Sequence, residues 1–129
     1  MCYNQSQMEK ILAKAMEDPK VVAIILFGSR ARGDATTSSD YDLCLVLRPG
    51  QYSGEYLFQK RLGYLALGAG DIHIFSQLPL YIRQRVLKEG RVLLCKDEDQ
   101  LYEIAFRTAR EFEDFRHMYR EYLEALLSA

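Results

Sequence analysis

Two short runs constrain this chain more than anything else in it: VVAIILF at Val21–Phe27 and YDLCLVL at Tyr41–Leu47. The first is continuously apolar and the second is so from Leu43 onward, both are rich in β-branched or aliphatic residues, and both are bounded by breakers, Asp18-Pro19 and Gly28 around the first and Arg48-Pro49-Gly50 after the second. A strand with one wet face alternates polar and apolar residues, whereas an unbroken apolar run must be covered on both faces. The chain therefore has to put helices on each side of a sheet.

The rest of the sequence supplies those helices. Met8, Ile11, Leu12, Ala15 and Met16 recur at helical spacing, and the pattern stops at Asp18-Pro19, because a residue before proline is pushed out of the α region. Between Gln51 and Gly70, residues Tyr56, Leu57, Lys60, Arg61, Tyr64 and Leu65 follow a helical pattern weakened by Gly54 and Gly63. DIHIF from Asp71 reads as a third strand, and LPLYIRQRVLKEG as a helix with proline near its start and a stop at Gly90. RVLLC from Arg91 reads as a fourth strand. From Glu98 to Leu127 one long helix or a broken pair carries Leu101, Ile104, Ala105, Thr108, Phe112, Phe115, Tyr119, Tyr122 and Leu126 on one stripe. The expected class is α/β (α+β): a small mixed sheet covered by helices, with a long C-terminal helix.

Length and composition narrow the function. With 129 residues, 49% of them hydrophobic and 27% charged, residues 1–129 fit one compact domain. A net charge of -1 gives no broad basic field to hold nucleic acid or anionic lipid, so any phosphate must be met locally. Cys2, Cys44 and Cys95 lack disulfide or zinc spacing, and Cys44 and Cys95 sit in apolar runs as buried thiols. With no signal-like or membrane-length apolar segment, a reducing cytoplasm is the expected compartment. The tyrosines and phenylalanines are expected mostly in the core, apart from Tyr102 and Phe106, which fall off the main stripe of the last helix and leave room for a docking surface.

The chemistry-bearing residues cluster in FGSRARGDATTSSDYDL, Phe27 to Leu43. Asp40 and Asp42 are two apart at the start of a strand, and the period of two points both carboxylates to one face. They repel unless solvated or bridged by a cation, and a divalent ion fits. Asp71 opens the next strand, so if the two strands lie side by side with their starts together, three acids converge. Hard oxygens with no histidine or thiolate nearby favour Mg²⁺ or Mn²⁺ over zinc. Two such ions can clamp an in-line phosphoryl displacement. Gly28-Ser29 ends the first strand, where a glycine lets the backbone approach an anion and Ser29 adds a hydroxyl donor. Arg30 and Arg32 add guanidinium charge, weighed equally against a solvated surface role.

Gly28-Ser29, ten intervening residues and Asp40-Tyr41-Asp42 resemble the signature of the DNA polymerase β-like nucleotidyltransferase superfamily, and the fuller stretch looks like its minimal nucleotidyltransferase (MNT) branch. DIHIF, EGRVLL and EFEDFRHMYREYL resemble later parts of that family. The resemblance implies the polymerase β-like fold, with Gly28 and Ser29 holding the triphosphate of a nucleotide, Arg30 as a further nucleotide contact, and Asp40, Asp42 and Asp71 binding two Mg²⁺ ions, Mn²⁺ being an alternative. Asp71 is also implied as the base for the acceptor hydroxyl. The implied reaction is AMP transfer from ATP with loss of pyrophosphate. In the MNT branch the acceptor is often a tyrosine of a HEPN-family toxin, with the MNT protein as antitoxin, and the chain's shortness leaves a partner to complete the substrate site. Self-association or assembly with the toxin is open, and no direct nucleic-acid or membrane partner is expected. The rivals are a small-molecule, aminoglycoside-type nucleotidyltransferase and an antitoxin that acts by binding alone.

Other residues have plainer readings. Asp34, Ser38 and Ser39 fit a turn, with Ser39 also able to orient Asp40. His73 shares a face with Asp71 and reads first as a partly buried histidine satisfied by a neighbour, with a supporting contact to the acids the alternative. Arg110 and His117 match the spacing of HEPN ribonucleases by coincidence.

Overall fold

A computed structural model describes residues 5–28 and 41–128. Helix α1 (Gln5–Glu17) leads into strand β1 (Val21–Phe27), and β2 (Asp42–Leu47) follows the undescribed connection. Then come helix α2 (Gly54–Leu65), β3 (Asp71–Ile74), a 3₁₀ turn (Phe75–Gln77), helix α3 (Leu80–Glu89), β4 (Arg91–Cys95) and helix α4 (Glu98–Ser128). The expected elements are present, and the last helix is one piece.

The sheet order is β3-β2-β1-β4. β1 runs antiparallel to β2 and β4, while β2 and β3 are parallel. The two apolar runs occupy its centre, as unbroken hydrophobicity requires. On one face Ile24, Leu26, Leu43, Leu45, Ile72 and Ile74 pack with Ile11 and Ala15 of α1 and Leu57 and Tyr64 of α2. On the other, Val22, Ile25, Cys44 and Val46 pack with Val86 of α3 and Ile104 of α4.

Local chemistry sets the boundaries. The Ser53 hydroxyl accepts the Tyr56 N–H at 3.0 Å and caps α2. Asp97 accepts the Gln100 N–H at 3.1 Å and opens α4, whose first turn carries Glu98 and Asp99 where negative charge favours the helix dipole. Gly90 ends α3 with a φ of -74°, so it is not there for a left-handed turn. A Cβ at that position would run into the Val86 carbonyl and the Ile25 side chain, so close approach of α3 to β1 is what demands glycine.

The core is less aromatic than expected from the sequence. Tyr64 and Phe75 are buried, but Phe58, Tyr81, Tyr102 and Phe106 are exposed. The long stripe also divides. Ile104 and Thr108 are buried, whereas Phe115, Tyr119, Tyr122 and Leu126 are all about half exposed. Geometry explains it: 31 residues make a helix of about 46 Å, and strands of four to seven residues span at most roughly 23 Å, so α4 outruns the sheet. Among the described residues no helix is long and apolar enough to cross a membrane.

One polar cluster ties the start of β1 to α1, α2 and the end of β4. The Asp18 carboxylate accepts hydrogen bonds from Lys60 Nζ at 2.8 Å, Tyr64 Oη at 3.0 Å and the Lys20 N–H at 3.0 Å. Lys96 Nζ donates to the Ala15 and Asp18 carbonyls at the end of α1, where a cation favours the dipole. Burial by itself pushes the Asp18 carboxyl up, but the bonds from Lys60, the Lys20 N–H and Tyr64 outweigh it and leave it below its ordinary value. A lowered carboxyl stabilises the fold above its unfolded-state value, about 3.9, and that contribution is lost as pH falls through the folded-state value. Asp18→Asn is expected to cost about 1–3 kcal/mol at pH 7. In urea unfolding, the gap between the native protein and the variant should narrow steadily below about pH 4.

Candidate active site

The mouth of the sheet, where β2 and β3 begin, gathers the chemistry. In the parallel β2–β3 pair Asp42 lies opposite Asp71, and in the antiparallel β1–β2 pair it lies opposite Phe27. The Asp71 N–H donates to the Tyr41 carbonyl at 3.0 Å, which locks the register at the first residue of β3. The expectation of adjacent strands starting at the same end is met. β3 is an edge strand, and the Arg61 Nε of α2 donates to its Ile72 carbonyl, tying the exposed edge to the layer above.

His73 joins the acids. One oxygen of Asp42, one of Asp71 and one imidazole nitrogen of His73 all lie within 4.8 Å of one another, and His73 Nε2 is 3.6 Å from Asp42 Oδ1. The imidazole meets the Phe27 ring edge-on at 5.5 Å between centroids. This corrects the reading of an all-oxygen centre with no histidine nearby. The strand period that aligns His73 with Asp71 was the available signal, and the local sequence gave no measure of how near Asp42 would come. Cys44 pairs with His73 in register but is fully buried, and burial pushes its thiol up, so no thiolate joins the set.

Gly28 borders the same oxygens. Its φ is +84°, and a Cβ there would stand 2.7 Å from Asp42 Oδ2. Glycine is needed twice over, for the left-handed backbone and for the carboxylate beside it. Between the end of β1 and α3 is a cavity of about 160 Å³ lined by Phe27, Gly28, Ile82, Arg85, Val86 and Glu89. Arg85 is a cation near Gly28 that the sequence reading missed, since α3 showed only a helical pattern. Burial there is slight; pairing with Glu89 and a hydrogen bond with Tyr81 push its guanidinium up. A second cavity, about 220 Å³, contains Arg48, Arg83 and Arg107 but lies beyond the far end of β2, away from the acids.

Ser29, Arg30, Arg32, Asp34, Ser38, Ser39 and Asp40, with Cys2, lie outside the described residues. Gly28, Asp42 and Asp71 are brought together. Arg110 and His117 are remote on α4, where His117 Nε2 is 3.1 Å from Glu121.

The donor set fits a hard divalent ion: two carboxylates of different strands, about one third exposed at Asp42, and an imidazole that Mn²⁺ accepts more readily than Mg²⁺. A mixed sheet with acids at the mouths of two parallel strands, next to a glycine turn, is an arrangement that can hold a divalent ion beside an anion. The family described as "Polymerase beta, Nucleotidyltransferase" matches residues 9–99, and the chain belongs to it. It is 37% identical over 102 residues to the Methanocaldococcus jannaschii protein named "Putative protein adenylyltransferase MJ1547", covering 79% of this chain and 78% of that one. In fold it is similar to a chain of a toxin-antitoxin structure with AMP-PNP, with a TM-score of 0.68, 18% identity, and coverage of 96% of this chain and 98% of that one. It is also similar to a chain of the tri-AMPylated Shewanella oneidensis HEPN toxin in complex with MNT antitoxin, with a TM-score of 0.63, 17% identity, and coverage of 95% and 94%.

Gly28→Ala is expected to cost about 1–2 kcal/mol from the backbone alone and to displace Asp42. Thermal melting and titration with Mn²⁺ should both register it, with metal affinity falling further than stability.

Proposed function

We propose that residues 1–129 form one nucleotidyltransferase domain that moves AMP from ATP to a tyrosine hydroxyl of a HEPN-family toxin, and that the protein is the antitoxin of that pair. The observation that carries the chemistry is the convergence of Asp42, Asp71 and His73 beside the Gly28 backbone. The protein acceptor is supported by the relative named as a protein adenylyltransferase. Support for the partner comes from complexes of similar fold described as toxin-antitoxin, and from the half-exposed Phe115, Tyr119 and Tyr122 on α4.

The acceptor oxygen attacks the α-phosphorus of ATP in line, a new P–O bond forms, and the bond to the oxygen bridging the α- and β-phosphates breaks. Pyrophosphate leaves with that oxygen. The acceptor proton passes to the Asp71 carboxylate, exposed at the strand mouth. Gly28 admits the phosphate chain close to the backbone, and Ser29 and Arg30 contact it. Asp40, Asp42 and Asp71 would hold divalent ions, Mg²⁺ in this reading, which supply charge neutralisation of the phosphates. The reducing cytoplasm, where ATP is abundant, is the compartment that agrees with free Cys44 and Cys95.

Incubating the protein with labelled ATP, Mg²⁺ and a HEPN partner should add AMP to a partner tyrosine, read by peptide mass. Asp42→Asn should lower the rate on the order of 10²–10³-fold while melting within a few degrees of the native protein, because a charge is lost and volume is kept. Partner silencing without any mass gain would leave a binding antitoxin, and labelling of an aminoglycoside in its place would favour the small-molecule reading.

A further inference from the structure

We infer that His73 is itself a ligand of the divalent ion, through Nε2, and that it biases the site toward Mn²⁺ over Mg²⁺. The inference rests on the nucleotidyltransferase reading, because the ion is the one that reading requires. Six-coordinate ions with bonds near 2.1 Å hold adjacent donors about 3.0 Å apart and opposite donors about 4.2 Å apart. The 3.6 Å between His73 Nε2 and Asp42 Oδ1 falls between these values, and the outer limit of 4.8 Å for the whole set exceeds the larger by well under 1 Å. A small rotation of each side chain therefore closes the three donors on one ion.

Three further observations make ligation the better account than a structural histidine. The imidazole is about one third exposed, as is Asp42, so neither is sealed in the core and an ion can reach both. The Phe27 ring, edge-on at 5.5 Å, borders the imidazole and limits its orientations. The alternation of β3 buries Ile72 and Ile74 on the opposite face, so His73 contributes nothing to that core cluster. Nitrogen is a poorer donor for Mg²⁺, which favours oxygen in near-ideal octahedra, than for Mn²⁺, further along the divalent affinity series toward imidazole-binding metals.

The sequence contains two histidines, so the test is unambiguous. The untagged full chain is loaded with Mn²⁺ alone and studied by pulsed EPR for coupling to imidazole ¹⁴N, with Mn²⁺ and Mg²⁺ affinities measured by titration. Coupling is expected in the native protein and in His117→Gln, and is expected to vanish in His73→Gln. That variant should bind Mn²⁺ about tenfold more weakly or worse, with Mg²⁺ changed by less than about threefold. Mn²⁺ bound by the native protein without ¹⁴N coupling, or an unchanged Mn²⁺ affinity in His73→Gln, overturns the inference and leaves the metal-dependent transferase reading standing. Failure of the native protein to bind Mn²⁺ at all also overturns the inference, whereas the transferase reading falls only if AMP transfer itself fails with Mg²⁺ and ATP present.

Discussion

The parallel pairing of β2 with β3 is the contact on which the site depends. It sets Asp42 opposite Asp71, with the first N–H of β3 held by the Tyr41 carbonyl. Parallel neighbours need a crossover, and α2 supplies it while its Arg61 reaches down to the Ile72 carbonyl. Register is unforgiving here. A shift of one residue would turn Ile72 and Ile74 out of the core and carry Asp71 to the opposite face, so burying the isoleucines and aligning the acids are one requirement.

The two ends of the sheet have different tasks. Where β1 begins and β2 ends, charges are matched: Asp18 with Lys60, Arg48 with Asp97 at 3.1 Å, and Lys96 on the carbonyls closing α1. At the opposite end, where β1 finishes and β2 and β3 start, carboxylates and an imidazole crowd together beside Gly28. Like charges gathered at one end are tolerable because the other end and the two-faced core fix the strands that present them. With a net charge of -1 the chain has no broad basic field, so its electrostatics are decided by local arrangements such as this one.

The C-terminal helix shows the same division along its length. Its first half covers the β1–β2 face through Ile104 and Thr108, and Glu111 reaches Arg83 of α3 at 3.5 Å. Beyond that the stripe continues in sequence but is left about half exposed by the described residues, and Phe115 stacks on Tyr119 at 5.9 Å. An apolar stripe predicts burial against something; only the length of the sheet determines whether that something lies in the same chain.

Much of this was legible from residues alone. Val21–Phe27 and Tyr41–Leu47 had to be strands covered on both faces because they lack alternation apart from Asp42, Asp18-Pro19 and Gly90 had to end helices, and the glycine and acids at the strand ends raised phosphate and metal as an expectation. Those are local or periodic signals, and a linear sequence carries them in full. What it could not carry is distance across the sheet. That His73 stands 3.6 Å from Asp42, that Arg85 lines the cavity beside Gly28, and that the described residues leave the last turns of α4 half exposed follow from strand order, register and sheet length. These are fixed only when non-local pairing brings residues tens of positions apart into contact, so the sequence determined which groups could do chemistry at the strand ends, and the tertiary structure decided which of the described ones meet and what else stands beside them.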